Sequence, residues 1–175
     1  PQNNLKDPDA FWDFLSLVPE SVHQVTMIFS DRGTPYSFRN MHGFGNHSFR
    51  WINKEGQAFF VKWHWITDAG IKNYNDEEAA NMKKMDPDHN GRDLFDHIDK
   101  GNEATWTFMV QIMPEEEAAN YKWNILDVTK VWSHADYPLI PVGKLVLNKN
   151  PQNFFAEVEQ VAFSPGHFVP GIEAS

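Results

Sequence analysis

Apolar residues recur at helical spacing early in the chain and at alternating spacing further on. Asp7-Pro8 supplies an N-cap and a proline for the first helical position, and Phe11, Trp12, Phe14 and Leu15 follow on a 3.6-residue period. This predicts a short helix ending near Val18. Pro19-Glu20-Ser21 opens a second helix with Val22, Val25, Thr26 and Phe29 on one face, and Asp31-Arg32-Gly33 stops it. The chain should therefore begin with a compact helical pair.

Residues 47–53 and 57–67 flank Lys54-Glu55-Gly56, and both arms are rich in Phe, Trp, Ile and Val, which predicts a β-hairpin. If Asn53 pairs with Gly56, then His47, Phe49 and Trp51 share a face with Phe60, Lys62 and His64. A bulge at Gly56 slips the register by one residue and turns the second arm over.

Asp76-Glu77-Glu78 and Lys83-Lys84 complement the dipole of a helix over 76–85, and a further helix is predicted over 93–100, ended by Gly101. Residues 104–113 alternate Trp106, Phe108, Val110 and Ile112 as a strand does. Pro114-Glu115-Glu116-Glu117 opens a short helix, and an irregular stretch leads to a strand over 138–147. This strand, with Leu139, Val142, Leu145 and Leu147, and the apolar-acidic run from Phe154 to Phe163 both read as core. At least four strands with helical insertions between them give an α+β or β-barrel fold.

The 175 residues suffice for one domain with a real core, and 41% are hydrophobic. The net charge of -9, dispersed along the chain, argues against a nucleic-acid surface, which needs clustered Lys and Arg. Cysteine is absent, so no disulfide or thiolate metal site is available, in keeping with a cytoplasmic setting. No apolar run reaches the length of a membrane span. The opening Pro1-Gln2-Asn3-Asn4 has neither Met nor cap, and Glu173-Ala174-Ser175 ends on no element. Both ends therefore read as cuts, and residues 1–175 as a single partial domain.

Few motifs carry chemistry. Asp86-Pro87-Asp88-His89-Asn90-Gly91 matches the opening of a calcium loop, but its twelfth position is His97, where a hard cation needs a bidentate carboxylate. A turn between two helices accounts for it better. The eight histidines show no metal-ligand spacing, and no nucleophile elbow, phosphate loop or dinucleotide fingerprint is present.

The wording of several blocks is more specific. Residues 136–165, DYPLIPVGKLVLNKNPQNFFAEVEQVAFSP, resemble the central region of the monofunctional haem catalases. LKDPDAFWDFLSLVPESVHQVTMIFSDRG (5–33), GFGNHSF (43–49), RDLFDHI (92–98) and DVTKVWSHADYP (127–138) follow in that family's order. The resemblance implies part of the catalase antiparallel β-barrel, with the helical insertions outside it. It further implies haem, hydrogen peroxide as substrate, a homotetramer, and a cytoplasmic location that becomes peroxisomal in a eukaryote.

By the same resemblance, His47 stands beside the haem on its proximal side and Phe163 lines the same pocket. A surface site for NADPH maps onto His23, Ser30, Arg32, Val131, Trp132 and His134. Arg32 suits a phosphate fork, Ser30 a donor to phosphate, and Trp132 and the histidines contacts with rings. The chain departs from the NADPH-binding members at His42, Phe44 and Ile66, where they carry Asn, Tyr and Lys, and at Met27, where they carry an aromatic residue. The family's distal His and Asn and its proximal Arg and Tyr match nothing in the chain, which alone should not dismute peroxide. Two alternatives follow: a haem-free NADPH-binding module, and a catalase-fold enzyme acting on organic hydroperoxides, such as an allene oxide synthase.

Overall fold

In a computed structural model, which describes residues 4–175, the chain is an antiparallel sheet with helices set around it. The opening Pro1-Gln2-Asn3 lies outside the described residues. Helix α1 (Pro8–Leu17) starts where Asp7 Oδ1 accepts the backbone N–H groups of Asp9 and Ala10, at 3.0 and 3.2 Å. After a 3-10 turn at Pro19–Ser21, α2 (Val22–Ile28) runs to a second 3-10 turn at Asp31–Gly33. The pair is joined by Trp12 against Phe29, with ring centroids 5.4 Å apart, and by a hydrogen bond from Ser21 Oγ to the Leu15 carbonyl. Neither helix buries a residue.

Six strands form one sheet: β1 (Gly43–Phe44), β2 (Phe49–Ile52), β3 (Ala58–Thr67), β4 (Ala104–Pro114), β5 (Ile140–Leu147) and β6 (Ile172–Ala174). Their order is β5-β4-β3-β2-β6, with β1 paired to β3 beside β2, and the sheet is not closed. The predicted hairpin is β2–β3, in the slipped register. Phe49 faces Val61 and Trp51 faces Phe59, because Gly56 adopts φ +81° and Asn53 pairs with Gln57. A side chain there would resist this left-handed conformation, and the bulge it makes turns the second arm over.

The slip sorts the sheet into two unlike faces. One carries Phe49, Trp51, Phe59, Val61, Trp63, Trp65, Phe108, Val110 and Ile112, and Val61 and Val110 are fully buried at its centre. The other carries Phe60, Lys62, His64, Gln111 and Met113. Over this second face pass α5 (Glu115–Ala118) and the irregular segment to Tyr137. Met113, Ile125 and Trp132 form the buried core there, flanked by Phe60, Ala118, Tyr121 and Tyr137.

Helix α3 (Asp76–Met85) has its predicted bounds and begins with a reciprocal capping box between Asn75 and Glu78. Helix α4 (His89–Asp99) starts four residues before the expected Asp93, so Asn90 and Gly91 are helical and only Asp86-Pro87-Asp88 form the turn. The Asp86 carboxylate binds Arg92 Nε at 2.9 Å and accepts the Asp88 N–H at 3.1 Å, which fastens that turn to the new helix. Arg39, from the 3-10 turn at Phe38–Asn40, forks onto Asp93 of α4 at 2.8 and 3.0 Å.

Three expectations need correction. Strand β5 and residues 154–163 do not form core in this chain: Ile140, Val142, Phe154 and Phe155 are exposed, and Phe163 fully so. Within that run, Phe155–Glu159 is a π-helical turn whose apolar side chains, Phe155 and Val158, are exposed. The last residues do end on an element, since β6 pairs with β2 through Trp51 and Ile172.

Candidate dinucleotide groove

Short local motifs build the first wall of the site. Ser30 caps the turn after α2, its Oγ accepting the Arg32 N–H at 3.3 Å, and this turn presents Arg32 to a cavity of about 710 Å³. Arg32 pairs with no carboxylate among the described residues, and its Nη1 touches only Met27 Sδ at 3.8 Å. A fork not already held by an acid can take a phosphate. Ser30 departs from expectation, because its hydroxyl donates to the Met27 carbonyl at 2.7 Å and must turn away before it can serve a ligand.

Opposite stand His42 and Phe44, which also line the cavity. His42 Nδ1 accepts the Thr67 N–H at 3.1 Å, so the hydrogen of the neutral ring sits on Nε2 and that edge is left to donate. Strand β1 holds Phe44 directly across from His64. Three edge-on contacts then run in series. His42 meets Phe44 at 6.0 Å between centroids, Phe44 meets His64 at 5.7 Å, and His64 meets His134 at 5.9 Å. This row of rings leads from the cavity to His134, which lies outside the cavity's own lining.

The 131–134 segment is held from below. Lys62 is buried and donates Nζ–H to the Lys130 carbonyl at 2.8 Å, and its ammonium lies 5.4 Å from the Trp132 ring centroid. Burial pushes the Lys62 amine below its usual pKa, against the pull of Asp127. Burial likewise lowers the pKa of His64, opposed by its hydrogen bond to Gln111 and reinforced by His134 and Lys62. Gln111, 1% exposed, reaches the carbonyls of Trp132 and Tyr137 at 3.2 and 2.6 Å.

Of the six residues expected at this site, Ser30 and Arg32 line the cavity, while Val131 and His134 are exposed but do not line it. His23 lies on the exposed side of α2 and does not line the cavity. The Trp132 ring is 2% exposed and packed between Met113 and Ile125, so it cannot stack on a ligand; it anchors the border from within. Ile66 lies on the second face of the sheet across from Thr107. The donor set fits a dinucleotide phosphate at Arg32 with flat aromatic surface beyond it.

The residues expected around a haem do not make a closed site in this chain. His47 is exposed just before β2, and Phe163 is fully exposed in an irregular stretch. The tail does return to β2, where Phe168 meets Phe49 edge-on at 6.2 Å. The aromatic face of the sheet offers an apolar wall, and the indole N–H groups of Trp51 and Trp63 are buried without an acceptor. Neither His47 nor Phe163 lines the two cavities described, the one beside Arg32 and the one between Trp51 and Ile172.

A family model described as Catalase matches residues 1–175. The peroxisomal catalase of Toxoplasma gondii is 59% identical over the whole chain, which covers 35% of that protein. The catalase of Rattus norvegicus is 57% identical, again over the whole chain and over 33% of its own length. A solved fungal catalase superposes with a TM-score of 0.92 at 51% identity, over 100% of this chain and 35% of that one. Catalase A from Saccharomyces cerevisiae gives the same TM-score at 49% identity, over 100% and 36%. The chain thus spans about a third of the length of the relatives it matches.

Proposed function

The chain belongs to the catalase family, and from that premise we propose that it is a central part of a subunit whose full-length parent converts hydrogen peroxide to water and oxygen. The observation that carries this is the match over every residue of the chain, at 59% identity to a relative named as a peroxisomal catalase. In that parent, haem supplies the redox chemistry when bound. This chain's part is to shape the space around it. The aromatic face of the sheet would offer an apolar wall, and His47 and Phe163, whose side chains are exposed here, would border the haem, as the family resemblance implies. Such a wall would exclude water from the group.

The second part of the proposal is a surface groove for NADPH, bordered by Ser30, Arg32, Val131 and His134. Arg32 holds a phosphate, His42 offers its Nε2–H, and Phe44, His64 and His134 supply ring edges and faces. Support comes from the unpaired guanidinium beside a cavity of about 710 Å³. The remaining expectations, a homotetramer and a peroxisomal or cytoplasmic setting, stay with the parent. No helix among the described residues is long and apolar enough to cross a membrane.

The absorption spectrum of the purified parent tests the haem part. A Soret band in proportion to polypeptide is expected, and a protein that purifies colourless and cannot be loaded with haem contradicts it.

A further inference from the structure

Gln111 lies in the middle of a strand otherwise built of apolar residues and Thr, and it is 1% exposed. A buried amide costs stability unless its donors and acceptor are met. All three functions are met here: Nε2–H donates to the Trp132 and Tyr137 carbonyls, and Oε1 accepts from His64 Nε2 at 3.0 Å. The orientation is unambiguous. A flipped amide would turn its oxygen toward two carbonyl oxygens, so the NH2 group must face them. An amide oxygen only accepts, so His64 carries its hydrogen on Nε2. One side chain therefore fixes a backbone segment and the tautomer of a ring at once.

Both things it fixes belong to the groove. His64 touches Phe44, which lines the cavity, and also touches His134 on the opposite border. The carbonyls of Trp132 and Tyr137 bracket the His134 backbone in sequence. Resting on the reading of the groove as an NADPH site, we propose that Gln111 is its positioning residue: its amide locks His64 and the 132–137 backbone into one unit. That unit sets how far the Val131–His134 border stands from Phe44. Lys62 secures the same segment upstream, at Lys130, and Tyr121, Lys122 and Glu117 hold Ser133, Asp136 and Tyr137 from outside, but the Gln111 amide is what joins this backbone to His64.

The test uses the full-length parent with its haem and titrates NADPH by fluorescence. Gln111→Met keeps the volume and removes all three hydrogen bonds, and NADPH affinity should fall by about tenfold or more. Gln111→Glu keeps the acceptor for His64 but loses the donors to the carbonyls. Its affinity should fall too, then recover relative to wild type from about pH 8 to about pH 5, as the buried carboxyl takes a proton and regains a donor.

Arg32→Ala serves as the control for the groove itself. If Arg32→Ala binds more weakly while both Gln111 variants bind like wild type, the inference fails and the groove stands. If wild type binds no NADPH, or Arg32→Ala changes nothing, the groove reading fails and the inference with it. A flat pH profile for Gln111→Glu contradicts positioning. Failure of both Gln111 variants to assemble with haem also overturns the inference, since the residue would then serve the core alone.

Discussion

Phe49 stacks face to face on Trp63, with ring centroids 4.2 Å apart and planes 6° from parallel. The two are diagonal neighbours, because Phe49 sits directly across from Val61 in the β2–β3 hairpin. The contact exists only in the slipped register, which puts both rings on the same face. Trp63 in turn meets Phe108 edge-on, and Phe108 stacks on Trp65 at 4.2 Å, so one row of rings joins three strands.

Replacing Phe49 by Ala removes that stack together with part of the apolar burial over Val61. The rings are half-buried, so the loss should be about 2–3 kcal/mol, less than for a fully buried Phe. Equilibrium denaturation measures it. A change below about 0.5 kcal/mol would mean that the stack contributes nothing beyond a surface contact.

Gly56 sets the register that makes the stack possible. With φ at +81°, Gly56→Ala should cost about 1–2 kcal/mol, and Gly56→Asn less, since Asn tolerates the left-handed region better. Open space surrounds the position, so the cost is conformational and not steric. Equal stability of the Ala and Asn variants would contradict this assignment.

Asp68 ties the end of β3 to its neighbours. Its carboxylate accepts hydrogen bonds from Thr105 and Thr107 at 2.6 and 2.7 Å and from Lys144 at 3.2 Å, and these hold its pKa down to about 2. An unfolded Asp titrates near 3.9, so the folded state binds the proton less readily. The stabilisation is fully present above the unfolded value and disappears as pH falls through the folded one. The stability gap between wild type and Asp68→Asn should be constant near pH 5 and close between about pH 4 and about pH 2. A gap that persists at the acid end would show that charge is not its source.

Arg32 is predicted to decide between dinucleotides. A guanidinium beside the ribose end discriminates the phosphorylated cofactor from its unphosphorylated counterpart. Arg32→Ala in the parent should lower NADPH affinity by about tenfold to a hundredfold and leave NADH binding nearly unchanged. Fluorescence titration with both nucleotides distinguishes this from a general loss of the groove.

Much of the fold is legible from local signals that need no partner. Asp7-Pro8, the Asn75–Glu78 box and the alternation over 104–113 act within a few residues, and each marked its element. Residue order alone could not choose the hairpin register, because both pairings satisfy the apolar pattern and only the Gly56 bulge separates them. It also misplaced β5 and residues 154–163. Their apolar content matches a core, but burial depends on what faces them, and most of these side chains are exposed.

At the candidate site, Ser30 and Arg32 are recognisable because one turn carries both. The Trp132 indole suits either a ligand or a core by its type, and in the fold its ring is buried with Met113 and Ile125. The sequence reading does not single out His64 and Gln111, the pair proposed to position the groove. A signal was present: Lys62, His64 and Gln111 are polar positions within two apolar strands, the pattern of a buried hydrogen-bond network.

Oxygen release from hydrogen peroxide by the purified full-length parent decides whether this chain is a working part of a peroxide-dismuting enzyme. Oxygen evolved in step with peroxide loss, with no added reductant, is the predicted result. Peroxide consumed only when an organic reductant is supplied, or conversion confined to organic hydroperoxides, would contradict it.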